Sequence, residues 1–282
     1  MTASDSGNAA VLTATSVTKL GPEYAGQVLV CGSHGGVYAG YLAARAGVLG
    51  VILNDAGGGK DGAGFASLPY LDRIGLAAAT VSHATARIGE GEDMLARGMI
   101  SQVNATAAAL GCAAGQSARE AAERMRAAKQ ASGEPEAYEE ARFLFSAPGE
   151  TPEVWGIDSN SLVRDGDIGQ IVLTGSHGGL LGGDPATAIK VDVLACAYND
   201  AGVGIDGIGI SRLPALDARG IAAVTVDCMS ARIGDARSMW ETGIISHCNE
   251  TAARLGVQPG QPLPAFVDAV RHRGERPRET KT

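Results

Sequence analysis

No pair of cysteines stands at a spacing that would join them. The five, Cys31, Cys112, Cys196, Cys228 and Cys248, are an odd number in no CxxC arrangement, so neither a disulfide framework nor a structural zinc site is expected. No basic run is long enough to follow a phosphate backbone and the net charge is −8, which argues against nucleic acid as a partner. Only RHRGERPRETK (271–281) is rich in base, and 271–282 is read as a flexible tail. No apolar stretch approaches the ~20 residues of a membrane span, so no membrane partner is expected. The opening MTASDSGNAAVLTATS lacks the basic start and apolar centre of a secretory signal, which makes the cytoplasm the expected location. Aromatic residues are few, 4% of the 282. Nucleotide signatures are missing too: GxxxxGK[ST] is absent, GSHGGVYAG lacks the spacing of GxGxxG, and GxSxG does not occur at the serines that precede the histidines.

What is abundant is glycine, 40 residues of 282, about twice the usual ~7%. The glycines cluster in loops, as tight turns around a ligand require. Those loops occur twice. CGSHGG (31–36), NDAGGGKDG (54–62), ARIG (86–89) and GMISQVN (98–104) return as TGSHGG (174–179), NDAGVGIDG (199–207), ARIG (231–234) and GIISHCN (243–249). Asn54 and Asn199 lie 145 residues apart, as do Asn104 and Asn249, whereas His34 and His177 are 143 apart. A whole folding unit has been duplicated, with two residues inserted between these points.

Each copy reads as alternating strand and helix. QVLVC (27–31) and QIVLT (170–174) are short apolar runs that stop at glycine, as buried strands do. VYAGYLAARAG (37–47) reads as a helix closed by glycine, VLGVILN (48–54) as a strand, LPYLDRIG as a short helix, LAAATV as a strand and Ile100 to Leu110 as a helix. The result is two tandem βαβαβα, Rossmann-like units with mostly parallel sheets, related by a pseudo-twofold axis. An extra strand is expected ahead of the first in each copy. In the second copy LLGGDPATAIKVDVLACAY replaces the clean helix, with Asp184-Pro185 as a helix start. SAREAAERMRAAKQ (117–130) has capping-box spacing and reads as an amphipathic helix. The expected organisation is a first repeat over 1–131, a linker with a helical turn or two over 132–152, a second repeat over 153–270 and the tail. Two such halves pack as a homodimer would, and further self-association into a homo-oligomer is expected.

Because loops leaving the carboxyl ends of parallel strands gather on one edge, the repeated polar residues should meet in a crevice. His34 and His177 sit between glycines expected at positive φ, so that Ser33, Ser176, Gly35 and Gly178 would cradle an anion beside an acid–base histidine. Asn54, Asn199, Asp55 and Asp200 follow the second strand, and Asp61 and Asp206 recur six residues later. These carboxylates would orient a histidine, activate water or hold the loop as Asx turns. They are compatible with a divalent metal, although no HxxxH or HxH spacing demands one, and no metal ligand or cofactor is assigned. Arg87 and Arg232 offer forks for a carboxylate or phosphate, with an interdomain salt bridge as the plainer reading. Asn104 and Asn249 are placed inside alanine-rich helices, facing the crevice or a loop.

Where the copies differ, the two halves are expected to divide their labour. Lys60, Ser82, His83 and Gln102 stand opposite Ile205, Asp227, Cys228 and His247. The first half thus offers His34, His83, Lys60 and Asp61 for acid–base work, and the second offers Asp227, Cys228, His177 and His247, a set for thiolate chemistry if the acidity of Cys228 is raised, with a small buried cysteine as the plainer reading. The leading expectation is an enzyme acting on a small polar or anionic molecule, by hydrolysis of a C–N or C–O bond. The alternatives are a cofactor-independent isomerase or lyase, and a duplicated small-ligand-binding module without turnover.

Overall fold

The computed structural model describes residues 9–272. The tail expected over 271–282 therefore lies, from residue 273, outside the described residues. The first half contains a five-stranded sheet: β1 (Val11–Ala14), β2 (Val28–His34), β3 (Gly50–Asn54), β4 (Ala77–Val81) and β5 (Ile100–Val103), side by side in that order. The first four run parallel and β5 is antiparallel to β4. Helix α1 (Val37–Arg45) crosses from β2 to β3, α2 (Ser67–Asp72) from β3 to β4, and α3 (Gly91–Arg97), α4 (Ala105–Ala109) and α5 (Ala118–Met125) follow.

The second half repeats the plan with six strands. β6 (Arg142–Leu144) is an antiparallel edge, β7 (Val154–Ile157), β8 (Ile171–His177), β9 (Ala195–Asn199) and β10 (Ala222–Val226) run parallel, and β11 (Ile245–Cys248) is antiparallel at the far edge. Helices α6 (Arg212–Asp217), α7 (Ala236–Thr242), α8 (Glu250–Ala253) and α9 (Leu263–Arg271) complete it. This is the expected α/β architecture with two similar sheet units. β1 and β7 are the extra leading strands.

Each sheet is buried on both faces, which is why its strands read as continuous apolar runs rather than alternating ones. Along β2, Leu29 and Cys31 join Ala39, Ala43 and Leu71 on one side, while Val28 and Val30 join Met94, Ala121 and Met125 on the other. The expected capping box of α5 is present, Ser117 and Glu120 bonding reciprocally. No helix among the described residues is long and apolar enough to cross a membrane.

Three expectations need correction. Ile100 to Leu110 is a strand followed by a short helix, because the β-branched Ile100 and Val103 fit the sheet edge better than a helix interior. Asn104 and Asn249 consequently lie at helix starts, where each side chain accepts from the backbone N–H three residues on. The stretch 132–152 has no helix; it contributes β6, whose residues bond β7. In place of a helix after β8 there are two 3-10 turns, Leu181–Gly183 and Pro185–Thr187, the second capped by Asp184.

Candidate functional site

The parallel strands of each sheet follow one another without reversal, so neither sheet has a switch-point crevice of its own. The strand-end loops of one half instead face those of the other. Gly57 and Gly202, at φ of 79° and 73°, pass so closely that a Cβ on either would lie 2.9 Å from the other's Cα. Only glycine tolerates that approach. Lys60 N donates to Cys228 O and Ile205 N to His83 O, both at 2.8 Å, a reciprocal pair across the pseudo-twofold axis. Ala56, Ile88, Ala201, Ile208 and Ile233 form a small apolar cluster drawn from both halves.

Of the repeated residues, Arg87, Arg232, Asp61 and Asp206 bond across this junction, while Asn54, Ser33, Asn104 and their counterparts brace loops and strands within their own half. Asn54 Oδ1 accepts from Ala56 N and its Nδ2 donates to Ala86 O; Asn199 makes the same bonds to Ala201 and Ala231. Ser33 and Ser176 accept from Val17 N and Asn160 N, anchoring the segments ahead of β2 and β8. Arg87 Nε bonds Asp206 at 3.0 Å and Arg232 Nη1 bonds Asp61 at 3.2 Å, so each half's arginine takes the other half's carboxylate. Lys60 Nζ reaches Thr242 at 2.8 Å. Asn104 and Asn249 each accept from a neighbouring strand as well as from their helix, through Ala78 N and Ala223 N.

The expected anion cradle is not formed at Gly35 or Gly178. Neither adopts positive φ, and a Cβ on Gly35 or Gly178 would collide with the carbonyl oxygen of Gly64 or Gly209. These glycines serve close packing. Among non-glycine residues left-handed backbone falls on Ala56, Asp61, Ala201, Val203 and Asp206, all in the two NDAG loops. Strain of that kind collects where a junction or site overrides local preference.

On the axis, His83 Nδ1 lies 2.9 Å from Asp55 Oδ1, which also accepts from His83 N and Gly57 N. The bond to Asp55 raises the His83 imidazole, while bonds from His83 and Gly57 outweigh burial and hold the Asp55 carboxyl low. Asp200 accepts in the same way from Gly202 N and Cys228 N. Cys228 replaces the imidazole there, and burial together with Asp200 and Asp227 pushes its thiol up to about 12. The condition for thiolate chemistry is thus not met. Among the described residues Asp200, Asp227 and Cys228 bring metal-ligand donors within 4.8 Å of one another. Gln102 and His247 sit on the antiparallel edge strands, opposite Thr80 and Thr225.

Off the axis the halves differ. His34, Gly36, Tyr38, Asp61, Tyr138, Glu140, Arg232 and Asp235 line a cavity of about 240 Å³ that draws on both halves. His34 Nδ1 accepts from Gly36 N at 3.1 Å, so the neutral ring carries its proton on Nε2, and burial pushes its pKa down to about 4. Glu140 is pushed up to about 7, by burial first and then by Asp158, against hydrogen bonds from Ser159, Ser161 and Tyr38. At the matching place beyond His177, Leu180 and Leu181 stand where Val37 and Tyr38 stand in the first half, and Gly182 N bonds Gly89 O. His177 is buried there, 6% exposed.

Glu140, Tyr138, Tyr38 and Asp235 were not singled out from sequence. Glu140 and Tyr138 lie in 132–152, which has no duplicate and so gives no repeat signal. Tyr38 pairs with Leu181 and could have been found as one more difference between the copies. Comparison with protein-family models, with curated proteins and with solved structures finds no match to the chain.

Proposed function

We propose that the protein is an enzyme that acts on a small polar molecule by acid–base chemistry in the His34 crevice, by hydrolysis of a C–N or C–O bond. The observation that carries this reading is one cavity in which a carboxyl titrating near neutrality, Glu140, and an imidazole held neutral, His34, line the same space. A group with that acidity is half ionised near pH 7, where a general base is most effective. Ionised Glu140 accepts a proton from water as the oxygen attacks the carbon of the scissile bond. His34 Nε2–H donates to the oxygen on which charge develops. The proton on Glu140 then passes to the departing nitrogen or oxygen, so one water is consumed and one bond to carbon is broken. A cavity of about 240 Å³ lies below the ~300–1,000 Å³ of sites for drug-sized ligands, which favours a small metabolite.

The test is release of product from a panel of small amides, amidines, lactams and esters by the wild type, His34→Ala and His177→Ala. Turnover abolished by His34→Ala and retained by His177→Ala supports the reading. The opposite pattern, or turnover indifferent to His34, defeats it.

A further inference from the structure

We infer that the His34 crevice takes a cationic substrate, one whose ammonium, amidinium or guanidinium group lies against one carboxylate oxygen of Glu140 and a wall made by Tyr38 and Tyr138, the other oxygen being left to the attacking water. This rests on the reading of the crevice as the reacting site, and it names the class of molecule that the site admits.

Charge balance is the first ground. Among the described residues three carboxylates, Asp61, Glu140 and Asp235, line the cavity against a single guanidinium, Arg232. That guanidinium is already engaged, at 3.2 Å from Asp61 and 3.4 Å from Asp235. Among the described residues Glu140 has no cationic partner: its bonding groups are the hydroxyls of Ser159, Ser161 and Tyr38. Asp158 lies close enough to oppose its ionisation, and itself accepts from Ala141 N and Ala236 N. An anionic ligand would therefore enter a lining that already carries excess negative charge. A cation would supply what Glu140 lacks.

Ring placement is the second ground. Tyr38 and Tyr138 have centroids 6.1 Å apart at 46°, and Tyr41 continues the row 6.2 Å from Tyr38. Two of the chain's six tyrosines, Tyr38 and Tyr138, line the cavity, and Tyr41 lies behind them. Aromatic faces attract alkylammonium and guanidinium groups while giving an anion nothing. The third ground is His34, whose neutral Nε2–H can donate to a carbonyl or ether oxygen but brings no positive charge to the cavity. Together these define a ligand with a cationic head and a neutral polar group beside it.

The experiment titrates full-length protein at pH 8 with butylguanidinium, butylammonium and butyrate, following heat and the backbone amide shifts of residues 34–38 and 138–140. The cations should bind and move those amides, and butyrate should not. Glu140→Gln, whose fold is verified by thermal unfolding, should weaken the cations at least about tenfold. Tyr138→Ala, at an exposed side chain, should weaken them about two- to fivefold, and Tyr138→Phe should not. Butyrate binding in the crevice, cation binding indifferent to Glu140→Gln, or no shift with any probe would each overturn the inference. The two readings fail separately. Butyrate in the crevice with turnover dependent on His34 removes the charge preference alone, and cation binding with turnover indifferent to His34 removes the reaction alone.

Discussion

In the first half the strand bearing His34 runs into α1, and Tyr38 in its first turn faces an open cavity. In the second half the strand bearing His177 runs into irregular turns, and Leu180 and Leu181 close the matching space. The loss of one helix carries a backbone consequence. An irregular segment leaves carbonyl groups without helical partners, and buried carbonyls need donors. Arg212 supplies them: it is 2% exposed, its Nε donates to Gly179 O at 3.0 Å, and its Nη1 donates to Thr187 O and Ala188 O. Its counterpart in the first half is Ser67, which packs beneath Gly40 of α1 with its hydroxyl unpartnered. One half kept the helix and the opening, while the other exchanged the helix for a guanidinium and closed.

The comparison is broken most directly by turnover. Glu140→Gln removes the proposed base, which lines the open crevice, and kcat/KM for any hydrolysed substrate should fall ~10²–10⁴-fold. His177→Gln, in the closed counterpart, should leave it within about threefold. Steady-state kinetics of both variants checks this, and equal losses would mean that both halves serve the reaction.

The next effect is on stability. Arg212→Met strips three buried carbonyls of their donor and should cost about 3–5 kcal/mol in urea unfolding. Ser67→Ala at the matching position removes a hydroxyl that bonds nothing and should change stability by less than about 0.5 kcal/mol, or raise it. Similar costs at both positions would show that Arg212 does not replace the missing helix.

How far the sequence could be read follows the same division. The duplication was visible because turn glycines and Asx residues recur at one spacing, and from it came the two sheets and the meeting of loops. What the repeat exposed was mainly the junction. Asn54, Asp55, Arg87 and their counterparts are held by backbone shape and by contact across the axis, and a residue retained for that reason looks the same in sequence as one retained for chemistry. Asn104 and Asn249 were misplaced because alanine-rich context masked a strand end. Glu140 and Tyr138 lie outside the repeat, so no comparison between copies could reveal them.

Symmetric positions sharpen the contrast by behaving alike. Asn104→Ala removes acceptors for Ala78 N and Ala107 N and a donor to Leu76 O; Asn249→Ala does the same to Ala223, Ala252 and Ile221. Each should cost about 2–3 kcal/mol, and the two values should agree within about 0.5 kcal/mol in denaturant unfolding. A large inequality would mean that the halves differ in more than the crevice.

The smallest effect expected is on pH dependence, where Glu140 and the two histidines contribute with different signs. Folded Glu140 keeps its proton up to about pH 7, while its ordinary value is 4.5, so between these the folded chain binds more protons than the unfolded one. Stability from this group therefore falls as pH rises from about 4.5 to about 7 and is level above. His34 acts oppositely: with a folded pKa of about 4 against an ordinary 6.5, it lets the unfolded chain bind more protons, and stability rises with pH between those values. His177, also pushed down by burial, adds to that rise. Glu140→Gln should thus stabilise the protein above pH 7 by about 1–2 kcal/mol, allowing for partial solvent access, and leave it unchanged at pH 4. Urea midpoints at pH 4, 6 and 8 decide the matter. A gain of equal size at pH 4 and pH 8 would mean that packing, and not the ionisation of Glu140, separates the open crevice from the closed one.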